Sequence, residues 1–243
     1  MYNKFSDIYD LLTFDIDYKK YSQNIMGLLK KDNIEQGNLL EIGCGSGNLT
    51  SHLASENFNI LAFDYSEQML NNAYTKLIDF ENVSLIKADM YKFPYEMYEF
   101  DAVVTLLDVI NYILKKDKVR DLFAGVYEGL KKDGLFIFDL NSESRMFERL
   151  GNNTYVYEKD HVFYTWENER KGDLVNFYLN FFVKDEKGKY ERIIENQVEK
   201  YYSLEDIIEI LEEVGFCEIE YFDEDTMDNP TKDSQRILIK CKK

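Results

Sequence analysis

The stretch that decides the fold is Leu39-Leu40-Glu41-Ile42-Gly43-Cys44-Gly45-Ser46-Gly47-Asn48. Its apolar first half is typical of a buried strand. The three glycines that follow let the backbone turn sharply and approach a ligand closely. The spacing differs from the dinucleotide-binding pattern G-x-G-x-x-G, because the third glycine would have to stand at Asn48 or Thr50. The pattern that remains, E-x-G-x-G-x-G, places an acid two residues before the first glycine.

Strands and helices are predicted to alternate around this stretch. Buried strands are predicted at residues 38–42, 59–63, 83–87, 100–106 and 135–140, with helical patterns between them. A helix capped by Ser203 and stopped by Gly215 follows later, with two further strands at 218–222 and 236–241. This order predicts an α/β fold with a doubly wound, mostly parallel seven-stranded sheet. Ligands bind such sheets beyond the carboxyl ends of the strands.

Between residues 154 and 202 the alternation of strand and helix stops, and an inserted antiparallel sheet after strand five is predicted. We therefore divide the chain into a ligand-binding domain, 1–153 and 203–243, and an inserted subdomain, 154–202, that is expected to cover the pocket. From position 175 to 183 the odd residues are all apolar and predict a buried row. The even row is either a pocket wall or a solvated face, and its members are Asn176, Tyr178, Asn180 and Phe182.

Residues 2–31 have helical periodicity, with apolar positions that include Phe5, Ile8, Tyr9 and Leu12. This helix either packs in the ordinary way or forms a flap over the ligand cleft.

The composition restricts the classes of partner. With 29 basic and 46 acidic residues in 243, the formal net charge is −17. That charge disfavours nucleic acid and anionic membrane surfaces as partners. We recognise no signal peptide and no apolar run long enough to span a membrane. The three cysteines are odd in number and lack metal-ligand spacing, so we expect reduced thiols, no metal site and a cytoplasmic location.

Taken together, these motifs resemble the class I (Rossmann-like) S-adenosylmethionine-dependent methyltransferases. The resemblance covers residues 36–141 and 203–241, and it rests on the glycine loop, Asp64, Asp89, the strand 100–104 and the strand at Gly134. The opening residues 2–12, which contain Ile8-Tyr9-Asp10, resemble the start of a bacterial small-molecule subgroup.

The resemblance implies S-adenosylmethionine as the cofactor. It places the glycine loop against the methionine part, Glu41 towards the ammonium, Asp64 on the ribose hydroxyls, and Asp89 with Met90 at the adenine. Cys44 is expected to fill space rather than to act as a nucleophile. The implied cofactor-binding set is Glu41, Gly43, Cys44, Gly45, Gly47, Asp64, Tyr65, Met69, Asp89, Met90, Leu106 and Leu107.

Methyl transfer from a sulfonium is a displacement that requires alignment of nucleophile, methyl and sulfur. Candidates for a base or a pocket wall follow strands four and five, namely Asp108, Tyr112, Asp139 and Asn141. The sequence Leu106-Leu107-Asp108-Val109 stands where methyltransferases of nucleobases and amides carry an Asn/Asp-Pro-Pro-aromatic motif, which further disfavours those acceptors.

We therefore predict transfer of a methyl group to an O or N atom of a small-molecule acceptor. The alternatives are an NAD- or nucleotide-sugar-linked oxidoreductase and a non-catalytic S-adenosylmethionine-binding protein. The identity of the acceptor, the use of a general base and the oligomeric state have no signature in the sequence.

Overall fold

A computed structural model describes residues 8–10, 13 and 16–243. Of the predicted N-terminal helix, Phe5 and Leu12 lie outside the described residues, whereas Ile8 to Asp10 are helical and Ile8 is buried. The α-helices described over their full length are α1 Tyr18–Lys31, α2 Asn48–Leu53, α3 Glu67–Leu77, α4 Lys116–Gly129 and α5 Leu204–Val214.

Seven strands form the central sheet, and their bounds are β1 Gly37–Ile42, β2 Phe58–Asp64, β3 Val83–Lys87, β4 Phe100–Thr105, β5 Leu130–Asn141, β10 Cys217–Asp223 and β11 Arg236–Lys242. Their order in the sheet is β10-β11-β5-β4-β1-β2-β3. Strands β1 to β5 are parallel, and β11 runs antiparallel to both β5 and β10. The predicted α/β fold with a mostly parallel seven-stranded sheet is confirmed.

Helices cover both faces of this sheet. Successive residues of a strand point to opposite faces, so each strand contributes to two apolar cores. In β1, Leu39 packs in one apolar core with α1 and α2, whereas Leu40 packs in another with α4 and α5. Strand order reverses between β1 and β4, so the glycine loop after β1 lies at the point where ligands bind such sheets.

The ends of two helices follow from local chemistry that the sequence predicts. Ser66 Oγ accepts a hydrogen bond from Met69 N at 3.3 Å and caps α3, and Ser203 Oγ accepts one from Asp206 N at 3.1 Å and caps α5. Gly215 ends α5 in the left-handed conformation, with φ of 116°.

A second sheet of four antiparallel strands, β6-β7-β8-β9, follows β5. Its strands are β6 Thr154–Lys159, β7 Val162–Lys171, β8 Leu174–Lys184 and β9 Tyr190–Lys200. This confirms the predicted antiparallel insertion. The odd row of β8, Val175 to Val183, is buried as predicted and forms a third core with Met146 and Leu150.

Within the described ranges no helix is long and apolar enough to cross a membrane. The same part of the chain contains no group of three or more His, Cys, Asp or Glu side chains placed to hold a metal ion.

Candidate active site

The glycine loop after β1 turns through left-handed backbone at Gly43, Gly45 and Gly47, with φ of 73°, 55° and 78°. Gly43 N and Cys44 N donate to Phe63 O at 2.9 and 3.0 Å, which fixes the loop to β2. A Cβ at Gly45 would meet no other atom within 4 Å, whereas one at Gly47 would lie 3.0 Å from Ala73 and Leu77. Gly45 therefore presents bare backbone to open space, and Gly47 allows close packing on α3.

The open space beside this loop is a cleft of about 1120 Å³ at the carboxyl ends of β1, β2 and β3, which we call the strand-end cleft. The side facing the insertion is closed by residues 193–198 of β9. The predicted cofactor residues that line it are Gly43, Gly45, Asp64, Tyr65, Met69, Asp89, Met90 and Leu107. These eight side chains and backbone segments come from four separate strand ends, as the resemblance implies.

A smaller space of about 50 Å³, the loop cavity, lies against the start of the loop. It is lined by the predicted residues Glu41, Cys44 and Leu106, and it shares Gly43, Gly45 and Leu107 with the strand-end cleft. Burial raises the pKa of the Cys44 thiol well above its ordinary value, which favours the filler role over a nucleophile. Gly47 lines neither space.

Glu41 is a buried carboxyl at the end of β1, and its Oε2 has no hydrogen-bond partner among the described residues. Burial raises its pKa to about 8; the Thr50 hydroxyl acts in the opposite direction, and the nearby charge of Asp64 adds to the increase. A buried, unpaired oxygen in a cavity is costly unless a ligand pairs with it. An ammonium group is the partner that would stabilise its charged form.

Asp64 ends β2 and joins the loop to the following helix. Its Oδ2 accepts a hydrogen bond from Gly45 N at 2.9 Å, and its Oδ1 accepts one from Ser66 N at 2.7 Å. Burial raises its pKa although these backbone donors act in the opposite direction. The carboxylate thus organises the loop and also lines the strand-end cleft, where its remaining lone pairs can accept ligand hydroxyls.

Asp89 follows β3 and lines the other end of the strand-end cleft with Met90. Asp89 Oδ1 accepts a hydrogen bond from Tyr91 N at 3.0 Å, and Oδ2 lies 3.5 Å from Lys92 Nζ. The adjacent apolar side chain and acceptor suit a flat ring with an amino group.

A third space of about 500 Å³ lies between the two sheets, and we call it the inter-sheet cavity. It adjoins the strand-end cleft, because both are lined by Tyr9, Leu107, Tyr112 and Gln197. Besides Gln197, the residues that the insertion supplies to its wall are Tyr157, Tyr164, Trp166, Phe177, Leu179 and Glu199. Trp166 thus combines packing against Phe177 with a place on the cavity wall.

The even row of β8 is not the wall that we considered. None of its four members lines the strand-end cleft, the loop cavity or the inter-sheet cavity, and Tyr178 is 37% exposed. Phe177 and Leu179 of the buried row form the wall instead. The pocket-wall interpretation of the even row is wrong, because the apolar core of the insertion continues directly into the cavity lining.

Asp108 and Asp139, two of the predicted candidates, are joined by Arg236 from β11. Arg236 Nη2 donates to Asp108 Oδ2 at 2.9 Å, and Nη1 donates to Asp139 Oδ2 at 3.0 Å. Burial acts to raise the pKa of Asp108, but the charges of Arg236 and Arg145 outweigh it and hold the pKa below its ordinary value. Asp108 lines the inter-sheet cavity as an ion-paired carboxylate, which is a poor acceptor of protons.

Asp139 also shapes the loop after β4. Its carboxylate accepts hydrogen bonds from Leu107 N at 3.0 Å and Asp108 N at 3.3 Å. Both loop residues have positive φ, 63° and 73°, which is uncommon for residues other than glycine. Asp139 is fully buried beneath this loop, so it supports the wall between the two spaces from behind.

The other two candidates bond to side chains of β9, and one of these, Glu199, is a residue that the sequence analysis missed. Asn141 Nδ2 donates to Glu199 Oε2 at 2.8 Å, and Tyr112 Oη donates to Gln197 Oε1 at 2.9 Å. Glu199 is buried at the end of β9 and lines the inter-sheet cavity. Burial and the charge of Asp108 raise its pKa well above the ordinary value, although Arg236 and Arg145 oppose this.

One signal in the sequence could have found Glu199. It alternates with Gln197 along β9, and the register pairs it with Val175 of the buried row. Directly paired residues of antiparallel strands share a face. A polar row opposite an apolar buried row therefore indicates a cavity between the insertion and the core.

The glycine loop, the acids at three strand ends and the cleft at the topological switch point define a Rossmann-like methyltransferase. A family model described as a methyltransferase domain matches residues 39–134. The crystal structure of an S-adenosylmethionine-dependent methyltransferase from Clostridium acetobutylicum is 36% identical, with a TM-score of 0.89, and the match covers 99% of this chain and 98% of that one. The chain belongs to the S-adenosylmethionine-dependent methyltransferase family, and the oxidoreductase alternative is wrong.

Two further relatives have named acceptors. The sugar N-methyltransferase KedS8 from Streptoalloteichus is 20% identical, with a TM-score of 0.79, over 95% of this chain and 91% of that one. The dTDP-3-amino-3,4,6-trideoxy-alpha-D-glucopyranose N,N-dimethyltransferase of Streptomyces venezuelae is 27% identical over 136 residues, which are 55% of this chain and 56% of that protein.

S-adenosylmethionine is the cofactor of this family, and the residues present fit it. The orphaned oxygen of Glu41 suits the methionine ammonium, and the open space at Gly45 admits a ligand against the backbone. Asp64 and Asp89 with Met90 line the strand-end cleft, where ribose and adenine would be held.

Proposed function

We propose that the protein transfers a methyl group from S-adenosylmethionine to an O or N atom of a small-molecule acceptor bound in the inter-sheet cavity. The observation that carries the proposal is the shared wall of the two spaces at Tyr9, Leu107, Tyr112 and Gln197. An acceptor in one space would thereby adjoin a cofactor in the other. Positioning of this kind alone can lower a barrier by about 7–11 kcal/mol.

When bound, S-adenosylmethionine supplies an electrophilic methyl group. The chain supplies alignment and control of protons. The glycine loop and Glu41 would hold the amino-acid end, and Asp64 the ribose. Leu107 and Tyr112 line both spaces, and they would separate the cofactor from every part of the acceptor except its reacting atom.

We propose Glu199 as the group that takes the proton from the acceptor. Its raised pKa lets the carboxylate accept a proton much more readily than an ordinary, solvated glutamate. Asn141 orients it through the 2.8 Å hydrogen bond. Asp108 and Tyr112 then belong to the wall, because Asp108 is engaged by Arg236 and Tyr112 by Gln197.

The relatives support a small acceptor. KedS8 is named a sugar N-methyltransferase, and the Streptomyces venezuelae relative is named for an amino sugar linked to dTDP. The net charge of −17 argues against a nucleic acid acceptor. The three free cysteines support our proposal that the protein acts in the cytoplasm. A non-catalytic cofactor-binding protein would have no need of a 500 Å³ cavity beside the cleft.

The test supplies the purified protein with methyl-labelled S-adenosylmethionine and a metabolite extract, and follows the label by mass spectrometry. We expect label in a small molecule. With that acceptor, Glu199→Gln should lower turnover about 100-fold or more and remove the rise of activity with pH, while S-adenosylhomocysteine affinity stays unchanged.

The matched control is Glu191→Gln, on the exposed start of the same strand, which should behave as wild type. Label in protein or nucleic acid would contradict the small-molecule acceptor. Binding of S-adenosylhomocysteine without any transfer would favour the non-catalytic alternative.

A further inference from the structure

The segment that follows β5 is an unusual helix. Residues Ser144–Leu150 form a π-helix, closed by a hydrogen bond from Gly151 N to Met146 O at 2.9 Å. Helices of this kind are rare and often occur at functional sites. Met146 and Leu150 point into the third core, whereas Arg145 and Arg149 line the inter-sheet cavity. The helix therefore directs two guanidinium groups at the same space.

These two arginines differ from the other cations of the cavity. Arg236 is paired with Asp108 and Asp139, and Lys20 Nζ lies 2.9 Å from Asp225. Among the described residues, the side chains of Arg145 and Arg149 form no hydrogen bond and no ion pair. Their two positive charges are therefore not paired directly with a carboxylate of the described residues.

Unsatisfied donors support the same conclusion. Arg145 Nε and Trp166 Nε1 are both buried and without a hydrogen-bond partner in the described chain, and both residues line the cavity. Each buried donor that stays unpaired costs free energy, so a ligand that accepts hydrogen bonds here is favoured.

The charges around Arg145 favour the binding of an anion. Burial lowers the pKa of Arg145, and the charges of Arg236 and Arg149 lower it further, whereas Asp108 and Glu199 act in the opposite direction. Glu199, the buried acid nearby, has a raised pKa and is therefore a weak source of negative charge at neutral pH. An anion between the two guanidinium groups would relieve this repulsion.

We propose that the methyl acceptor carries an oxyanion group, a phosphate or a carboxylate, which Arg145 and Arg149 bind in the inter-sheet cavity. The inference rests on the proposed function of that cavity. Arginine suits both groups because its planar fork donates two parallel hydrogen bonds. The net charge of −17 does not prevent this binding. At about 0.1 M salt, repulsion between an anion and exposed carboxylates is screened beyond about 10 Å, whereas the two arginines act in direct contact.

The test uses the whole protein saturated with S-adenosylhomocysteine, so that added anions find the strand-end cleft filled. Pyrophosphate and succinate are titrated separately at low salt. Trp166 is the only tryptophan and lies on the cavity wall, so its fluorescence reports binding there. We expect saturable binding of at least one anion. Arg145→Gln and Arg149→Gln should each weaken it about tenfold or more, and Arg192→Gln should leave it unchanged.

Arg192 is the matched control because it is exposed on β9 and lines none of the three spaces. The tighter of the two anions identifies a phosphate or a carboxylate as the acceptor group. Absence of saturable binding, or equal binding by all the variants, would overturn the inference. Arg149 is exposed, so Arg149→Gln keeps the test decisive if Arg145→Gln fails to fold. Retained S-adenosylhomocysteine binding in the same samples would leave the methyltransferase function standing.

Discussion

Binding of the cofactor should release a proton from Glu41. In the free protein, burial raises the pKa of this carboxyl to about 8. At pH 7 about nine-tenths of the molecules are then protonated at Glu41. The ammonium of a bound S-adenosylhomocysteine favours the carboxylate, so the proton must leave as the ligand binds.

The sign of the pH dependence follows. The ligand prefers ionised Glu41, so its affinity is highest above pH 8 and falls as the pH drops through 8. Where the carboxylate stays ionised in the complex, affinity for S-adenosylhomocysteine should rise about tenfold from pH 6 to pH 7 and about fivefold more by pH 8.

Calorimetry in two buffers of different protonation enthalpy measures the effect directly. At pH 7 we expect about 0.9 protons released per ligand bound. Glu41→Gln should bind more weakly, by about 1.5–3 kcal/mol, and should lose this proton release. Glu35→Gln, an exposed position just before β1, should match wild type. Equal proton release by wild type and Glu41→Gln would refute the reasoning.

Two further changes separate the cofactor side from the acceptor side. Asp64→Ala should weaken S-adenosylhomocysteine binding by about 1.5–3 kcal/mol, because the hydrogen-bond acceptor for the ribose and the acceptor for Gly45 N are both lost. Wild-type affinity by calorimetry would remove Asp64 from the site. Asp79→Ala, at an exposed position, is the control. Phe177→Ala should cost about 3–5 kcal/mol of unfolding free energy, since the ring is 2% exposed, and should also impair turnover because it lines the inter-sheet cavity; urea unfolding that matches wild type would contradict its place in the core.

The positions of the residues that line the strand-end cleft could be predicted from sequence because each part of this cleft is local. The glycine loop, Asp64 and Asp89 directly follow strands, and parallel strands bring their carboxyl ends to one edge. A short stretch of sequence therefore determines both the residue type and its place in the fold.

The acceptor side could not be predicted in the same way. Arg236 reaches Asp108 across 128 positions of the chain, and Glu199 reaches Asn141 across 58. Periodicity also could not choose between the two rows of β8, because burial in a core and burial around a cavity select the same apolar side chains. Phe177 has both roles, and only the packing of the insertion on the core reveals it.

The positive-φ loop at Leu107 and Asp108 affects the entropy cost of ligand binding. Conformations of this kind cost about 1–3 kcal/mol each and persist only where the surroundings enforce them. Here the hydrogen bonds to Asp139 hold the loop in place. The entropy of ordering this wall is thus lost during folding, before either substrate arrives. Binding of cofactor and acceptor to this preorganised loop does not include that entropy loss. The strained loop therefore lowers the stability of the fold and raises the affinity for ligands on both of its sides.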